Sequence, residues 1–203
     1  HKAFTAEATA LTLSFSDNIV DGVASFAGTN PTLTNNTFEV GVTIEASATN
    51  SDVNKIHSGN TFKGTVDANA NSHNFNNNTF NNTLDGTGDS LTFNTDGQNG
   101  NRNIFNQAVT INGASVEFNN NTFAANATLT TNTDASGLNV SQSTFEEAVT
   151  INGASSTLDN NTYESTVTMT GHTPSFINNA TVKGDVTIEG ANNAAVLNAT
   201  VTG

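Results

Sequence analysis

A parallel β-solenoid, a chain wound into stacked coils of short strands, is the fold that this sequence predicts. Three observations predict it. One unit recurs along the chain: Asn-Thr-Phe, three residues, then Val-Thr-Ile. An aromatic or β-branched residue returns every 18–25 positions. Composition is skewed, with 35 Asn and 34 Thr making up a third of the 203 residues.

The clearest copies of the unit pair Asn36-Thr37-Phe38 with Val42-Thr43-Ile44, and Asn121-Thr122-Phe123 with Ala127-Thr128-Leu129. Ser143-Thr144-Phe145 precedes Val149-Thr150-Ile151, and Asn161-Thr162-Tyr163 precedes Val167-Thr168-Met169. The column runs Ile19, Phe38, Phe62, Phe80, Phe105, Phe123, Phe145, Tyr163, Val182, Val201. Four residues after its first nine members comes a second apolar column, from Val23 and Val42 to Val186. A third, five or six residues before most of them, reads Leu33, Ile56, Phe75, Phe118, Val140, Leu158, Phe176, Val196. Phe4 with Ala8 begins a partial rung.

Within Val-Thr-Ile the period is two, so Val and Ile face one side and Thr the other. Three such strands per coil make three sides, and coils stack in parallel register about 4.8 Å apart. The expectation is an all-β parallel β-helix of about ten coils over residues 1–203, a rod on the order of 48 Å long. A helical solenoid would need apolar spacings of three and four, and this chain is rich instead in β-branched residues.

Asn pairs precede the strands at Asn35-Asn36, Asn77-Asn78, Asn120-Asn121, Asn160-Asn161 and Asn178-Asn179. Asn tolerates the left-handed backbone of a sharp bend, and stacked amides can hydrogen-bond from coil to coil. This resembles the Asn-lined turns of the pectin-lyase-like right-handed β-helix superfamily, which includes polysaccharide lyases, phage tailspikes and autotransporter passenger domains. The resemblance covers nearly the whole chain and is closest in style to bacterial surface adhesins and autotransporter passengers. Right-handedness is implied by the resemblance alone.

Charge narrows the function. Only 11% of residues are charged, against about 25% in ordinary domains. The net charge is −13, with Lys2, Lys55, Lys63, Arg102 and Lys183 the only cations. A nucleic acid is excluded as partner, because binding needs clustered cations to replace counterions. No apolar run is long enough to insert in a membrane. The absence of Cys leans toward a prokaryotic or phage surface protein. No secretion signal is visible, so the chain reads as a mature form or an excised segment.

Extra residues are expected near residues 46–55, 86–102 and 131–137, all after the Val-Thr-Ile strand and so on one edge of the rod. That edge is either a binding surface or simply where loops disturb no stacking. Neither end has an evident cap. The chain is therefore read as a segment, as a subunit that polymerises, or as closed by its own terminal residues.

Candidate chemistry is sparse. Asp67 and Asp85 replace Thr on consecutive coils, and two carboxylates that close call for a cation. They are the candidate metal site, with calcium the ion for such oxygen ligands; a solvated acidic face is the plain alternative. Glu146 and Glu164 form a second such pair. Glu39 with Lys63, and Glu164 with Lys183, read as cross-coil ion pairs. His1, His57, His73 and His172 show no metal-ligand spacing. No other cofactor is implied, and no catalytic residue is assigned.

Two outward Thr columns are expected. One is Thr37, Thr61, Thr79, Thr122, Thr144, Thr162, Thr181 and Thr200, interrupted by Ile104; the other is Thr43, Thr110, Thr128, Thr150, Thr168 and Thr187. Such arrays resemble ice-binding β-solenoids, although Thr is equally suited to any exposed strand. Asn-x-Thr sequons put glycosylation candidates at Asn35, Asn77, Asn120, Asn160, Asn179 and Asn198. The turn itself asks for Asn-Asn-Thr, so these can arise without any glycan.

The reading that follows is a non-catalytic extracellular rod at the cell surface, used for adhesion or for fibre formation. Its partners would be further copies of itself or host and surface glycans. A carbohydrate-binding or polysaccharide-degrading β-helix and an ice-binding solenoid are the alternatives.

Overall fold

The computed structural model describes residues 2–46, 55–69, 71–94, 102–130, 137–152, 156–170, 175–189 and 196–202. It is an all-β parallel solenoid of about eight turns with three strands per coil. Each strand pairs with the equivalent strand one coil on, always in parallel. The expected ten coils exceed this because the outermost rungs are incomplete. Phe4–Ser16 is one long strand lacking a Thr-Phe segment, and Val196–Val201 is a single strand paired along Ser175–Val182.

Three faces result. The Thr-Phe face is a ladder of two-residue strands, Thr37–Phe38, Thr61–Phe62, Thr79–Phe80, Ile104–Phe105, Thr122–Phe123, Thr144–Phe145 and Thr162–Tyr163, in unbroken register. The Val-Thr-Ile face stacks Val42–Ala46, Val66–Asn69, Leu84–Thr87, Val109–Asn112, Ala127–Thr130, Val149–Asn152, Val167–Thr170 and Val186–Glu189. The third face carries Lys55–Ser58, His73–Asn76, Thr92–Asn94, Glu117–Asn119, Leu138–Ser141 and Ser156–Asp159.

Register stacks like on like inside. The rings from Phe38 to Tyr163 lie 4.4–5.3 Å apart with interplanar angles of 4–18°. A second stack, Phe75–Phe93–Phe118, has spacings of 5.0 and 4.6 Å. The stacks meet edge-on, as between Phe105 and Phe118 at 75°. Offset parallel and edge-to-face pairs are the arrangements that the ring quadrupole favours. Strand spacing brings these rings into that range.

The corner before the Thr-Phe face explains the Asn pairs. The first residue adopts left-handed φ: Asn35 (55°), Asn77 (57°), Asn120 (57°) and Asn160 (56°), with Asp17, Gly59 and Gln142 doing the same on other coils. The second residue points inward and is buried: Asn36, Asn60, Asn78, Asn103, Asn121, Ser143, Asn161. At Asn78, Oδ1 accepts from the Asn60 backbone N–H at 2.9 Å and from Asn60 Nδ2 at 3.0 Å. Its Nδ2 donates to the His57 carbonyl at 2.9 Å and to Asn103 Oδ1 at 3.2 Å. One amide thus ties its own coil to both neighbours. It satisfies groups that a buried bend would otherwise leave unpaired. In the last pair the phase shifts by one: Asn179 is left-handed (50°) and Ala180 takes the buried position.

Several residues fall one position from where the sequence suggests. Ile19 pairs with Thr37 and is 74% exposed, and Val20 is the buried column member. Val23 is exposed and Ala24 stacks on Val42. Ile56 is exposed and His57 lies inward, in register with Leu33 and Phe75. By register, Ile177 and Leu197 rather than Phe176 and Val196 continue the third column. Phe4 pairs with Ala24 and so belongs to the Val-Thr-Ile face. In a strand, a slip of one residue exchanges the two faces, and adjacent apolar residues do not reveal which is inside. Phe93 is a buried member of the third column that the spacing did not reveal. Because the strand Thr92–Asn94 precedes residues 95–101, that insertion falls at a different corner from residues 47–54 and 131–136.

Candidate functional site

With the core and the corner amides committed to scaffold, candidate chemistry rests on outward columns. On the Thr-Phe face, register places Thr37, Thr61, Thr79, Ile104, Thr122, Thr144, Thr162, Thr181 and Thr200 in one file. All are half-buried except Thr200, which is exposed. Arg102 donates from Nη1 to Thr122 Oγ1 at 3.2 Å. Charges border this file: Lys63 pairs with Glu39 at 2.7 Å, and Lys183 pairs with Glu164. These exposed pairs each contribute about 0–1 kcal/mol.

On the Val-Thr-Ile face, Asp85 and Asp67 are direct register partners, with Thr43 on one side and Thr110 on the other. Two positions along the strands, Thr87 Oγ1 donates to Asn69 Oδ1 at 2.7 Å. Among the described residues no group of three or more His, Asp or Glu is placed to hold a metal. Calcium takes about six to eight oxygens, so a cation on Asp67 and Asp85 would draw most of its ligands from elsewhere.

Of the glycosylation candidates, Asn35, Asn160, Asn179 and Asn198 are exposed, while Asn77 and Asn120 are half-buried. Asn35, Asn77, Asn120, Asn160 and Asn179 are left-handed corner residues. Asn198 instead sits within the strand Val196–Val201, and its Nδ2 donates to Asn178 Oδ1 at 3.1 Å. In Asn-Asn-Thr each residue has its own structural duty: bend, buried ladder, outward column.

The sequence did not disclose the contact between His57 and His73. Both are buried, and His57 Nε2 lies 2.7 Å from His73 Nδ1. The His57 ring packs 4.8 Å from Phe75 and so tops the second ring stack. Inward parity at positions 57, 73 and 75 is the signal that could have found it. His1 and His172 lie outside the described residues.

Among the described residues no helix is long and apolar enough to cross a membrane. The geometry defines a class: a parallel β-solenoid with a buried Asn ladder and outward files rich in Thr. No family model, curated protein or solved structure matches the chain.

Proposed function

We propose that the chain is a non-catalytic extracellular rod that spaces or attaches a cell surface, by adhesion or by association with further copies. The observation that carries this reading is the continuous inward column from Val20 to Val201, with two ring stacks and a buried amide ladder running along much of it. Polar side chains that could do chemistry are spent on holding coils together, and those left outside are mostly Thr and Asn. Such a body resists bending and offers long repetitive faces, which suits spacing and multivalent contact. The resemblance to pectin-lyase-like right-handed β-helices of the adhesin and autotransporter kind supports the same reading, including secretion by a prokaryote. Surface glycans or other copies are the partners it suggests, and sequon glycosylation is compatible with it.

Electron microscopy of immunogold-labelled source cells tests the proposal. Label confined to thin surface projections or fibres is expected. Label confined to the cell interior would overturn it.

A further inference from the structure

We propose that the Val-Thr-Ile face between Thr110 and Thr187 is a docking surface for an ordered water lattice, the surface of ice. This goes beyond the rod's place on a cell and does not depend on it. Five consecutive rungs place Thr110, Thr128, Thr150, Thr168 and Thr187 in direct register. Two residues along the same strands, Asn112, Thr130, Asn152 and Thr170 form a second file in register with one another. The result is a two-dimensional polar array, repeating about every 4.8 Å across strands and about 6.7 Å along them. Every one of these side chains is exposed or half-buried. Among the described residues, none of the five hydroxyls of the first file donates to a protein acceptor. Thr is stiff at χ1 and is held here by flanking strands, so little freedom is lost when a lattice meets the face.

Charge and area select this occupant. The chain carries −13, yet the first file is uncharged from Thr110 to Thr187 and the second from Asn112 to Thr170; of the carboxylates of this face, Glu45, Asp67 and Asp85 lie before that stretch, and Glu189 ends the second file beside Thr187. A neutral partner fits the stretch and a charged one gains nothing from it. Five rungs of four residues cover on the order of 300 Å² by strand dimensions, well short of the roughly 800 Å² per partner of a stable protein interface. A second copy therefore does not explain the face. A sugar surface would call for exposed rings to stack on. The outward positions of these rungs carry none, and the rings from Phe26 to Tyr163 are buried in the core. A periodic array of hydroxyls and methyls without charge or rings is matched by a periodic array of water. The Thr-Phe face, with one Thr file broken by Ile104 and bordered by Glu39, Lys63, Glu164 and Lys183, is the built-in contrast.

Nanolitre osmometry on the full chain tests the proposal, with the fold of each variant checked by circular dichroism. The wild type and Thr144→Tyr on the Thr-Phe face are expected to shape ice and open a gap between melting and freezing. Thr150→Tyr, at the centre of the array, is expected to lose the gap, and Thr168→Lys repeats the test should Thr150→Tyr misfold. A folded wild type with no gap would overturn the proposal. So would a gap retained in both folded array variants, or capture by insoluble cellulose or chitin without any effect on ice. None of these results bears on whether the rod is carried at a cell surface.

Discussion

The amide ladder differs between its two halves. From Asn36 to Asn121 every buried corner position is Asn, and each links three coils. From Ser143 on, the ladder thins. Ser143 Oγ still accepts from the Asn121 N–H at 3.1 Å, but it donates only to Ser141 within its own coil. At Ala180 the side chain has nothing to give. The ring stack and the strand register run past Ser143 without a break, and past Ala180 the column continues from Tyr163 to Val182 and Val201 although the register shifts between Asn178 and Ala180. Strand pairing and burial therefore define the coil, and the amides add to its stability by satisfying a bend that water cannot reach.

Breaking the complete half should have the largest effect. Asn78→Ala strands two donors of Asn60 and the His57 carbonyl in a buried corner, and a loss of about 3–5 kcal/mol in chemical denaturation is expected. A loss below about 1 kcal/mol would mean that the bend holds itself. Repairing the thin half should act in the opposite sense. Ser143→Asn restores the reach toward the carbonyl of the preceding coil that Asn121 and Asn161 make, and should raise stability by about 1 kcal/mol.

Tyr163 sharpens the same contrast within the ring stack. It is buried against Phe145, and although Asn161 lies close, its hydroxyl meets no partner in hydrogen-bonding geometry. Tyr163→Phe removes an unsatisfied polar group and should stabilise by up to about 1 kcal/mol. Burial also pushes the phenol up from its ordinary value. The unfolded chain releases that proton above pH about 10 while the folded one retains it, so stability is full below that pH and falls as pH rises. The alkaline decline measured by thermal melts should be shallower in Tyr163→Phe. Smallest of all, Lys63→Ala removes one exposed ion pair and should shift stability by no more than about 1 kcal/mol.

Much of this was legible in the sequence. The Asn-Thr-Phe spacing predicts the ring column, and the Asn pairs predict both the left-handed corner and the stacked amides. Parity was legible only where apolar and polar residues alternate, as in Val-Thr-Ile. At Ile19-Val20 and Ile56-His57 either residue could face inward, and only pairing with Thr37 and Phe75 decides it. His57 reads as polar, yet its contact with His73 lets it replace an apolar residue. Phe93 was hidden because residues 95–101 separate it from Phe105 by twelve positions rather than five. The second polar file was obscured because Asn112 and Asn152 alternate with Thr130 and Thr170, so that only register, not residue identity, joins them.

The absence of native Cys makes the most direct test a clean one. Spin labels at Thr37→Cys and Thr162→Cys are separated by 125 residues of chain but by six rungs of one column. Pulsed electron resonance should give a single narrow distance near 29 Å, six strand spacings of about 4.8 Å. A broad distribution, or a distance unrelated to the strand spacing, would contradict the in-register coil.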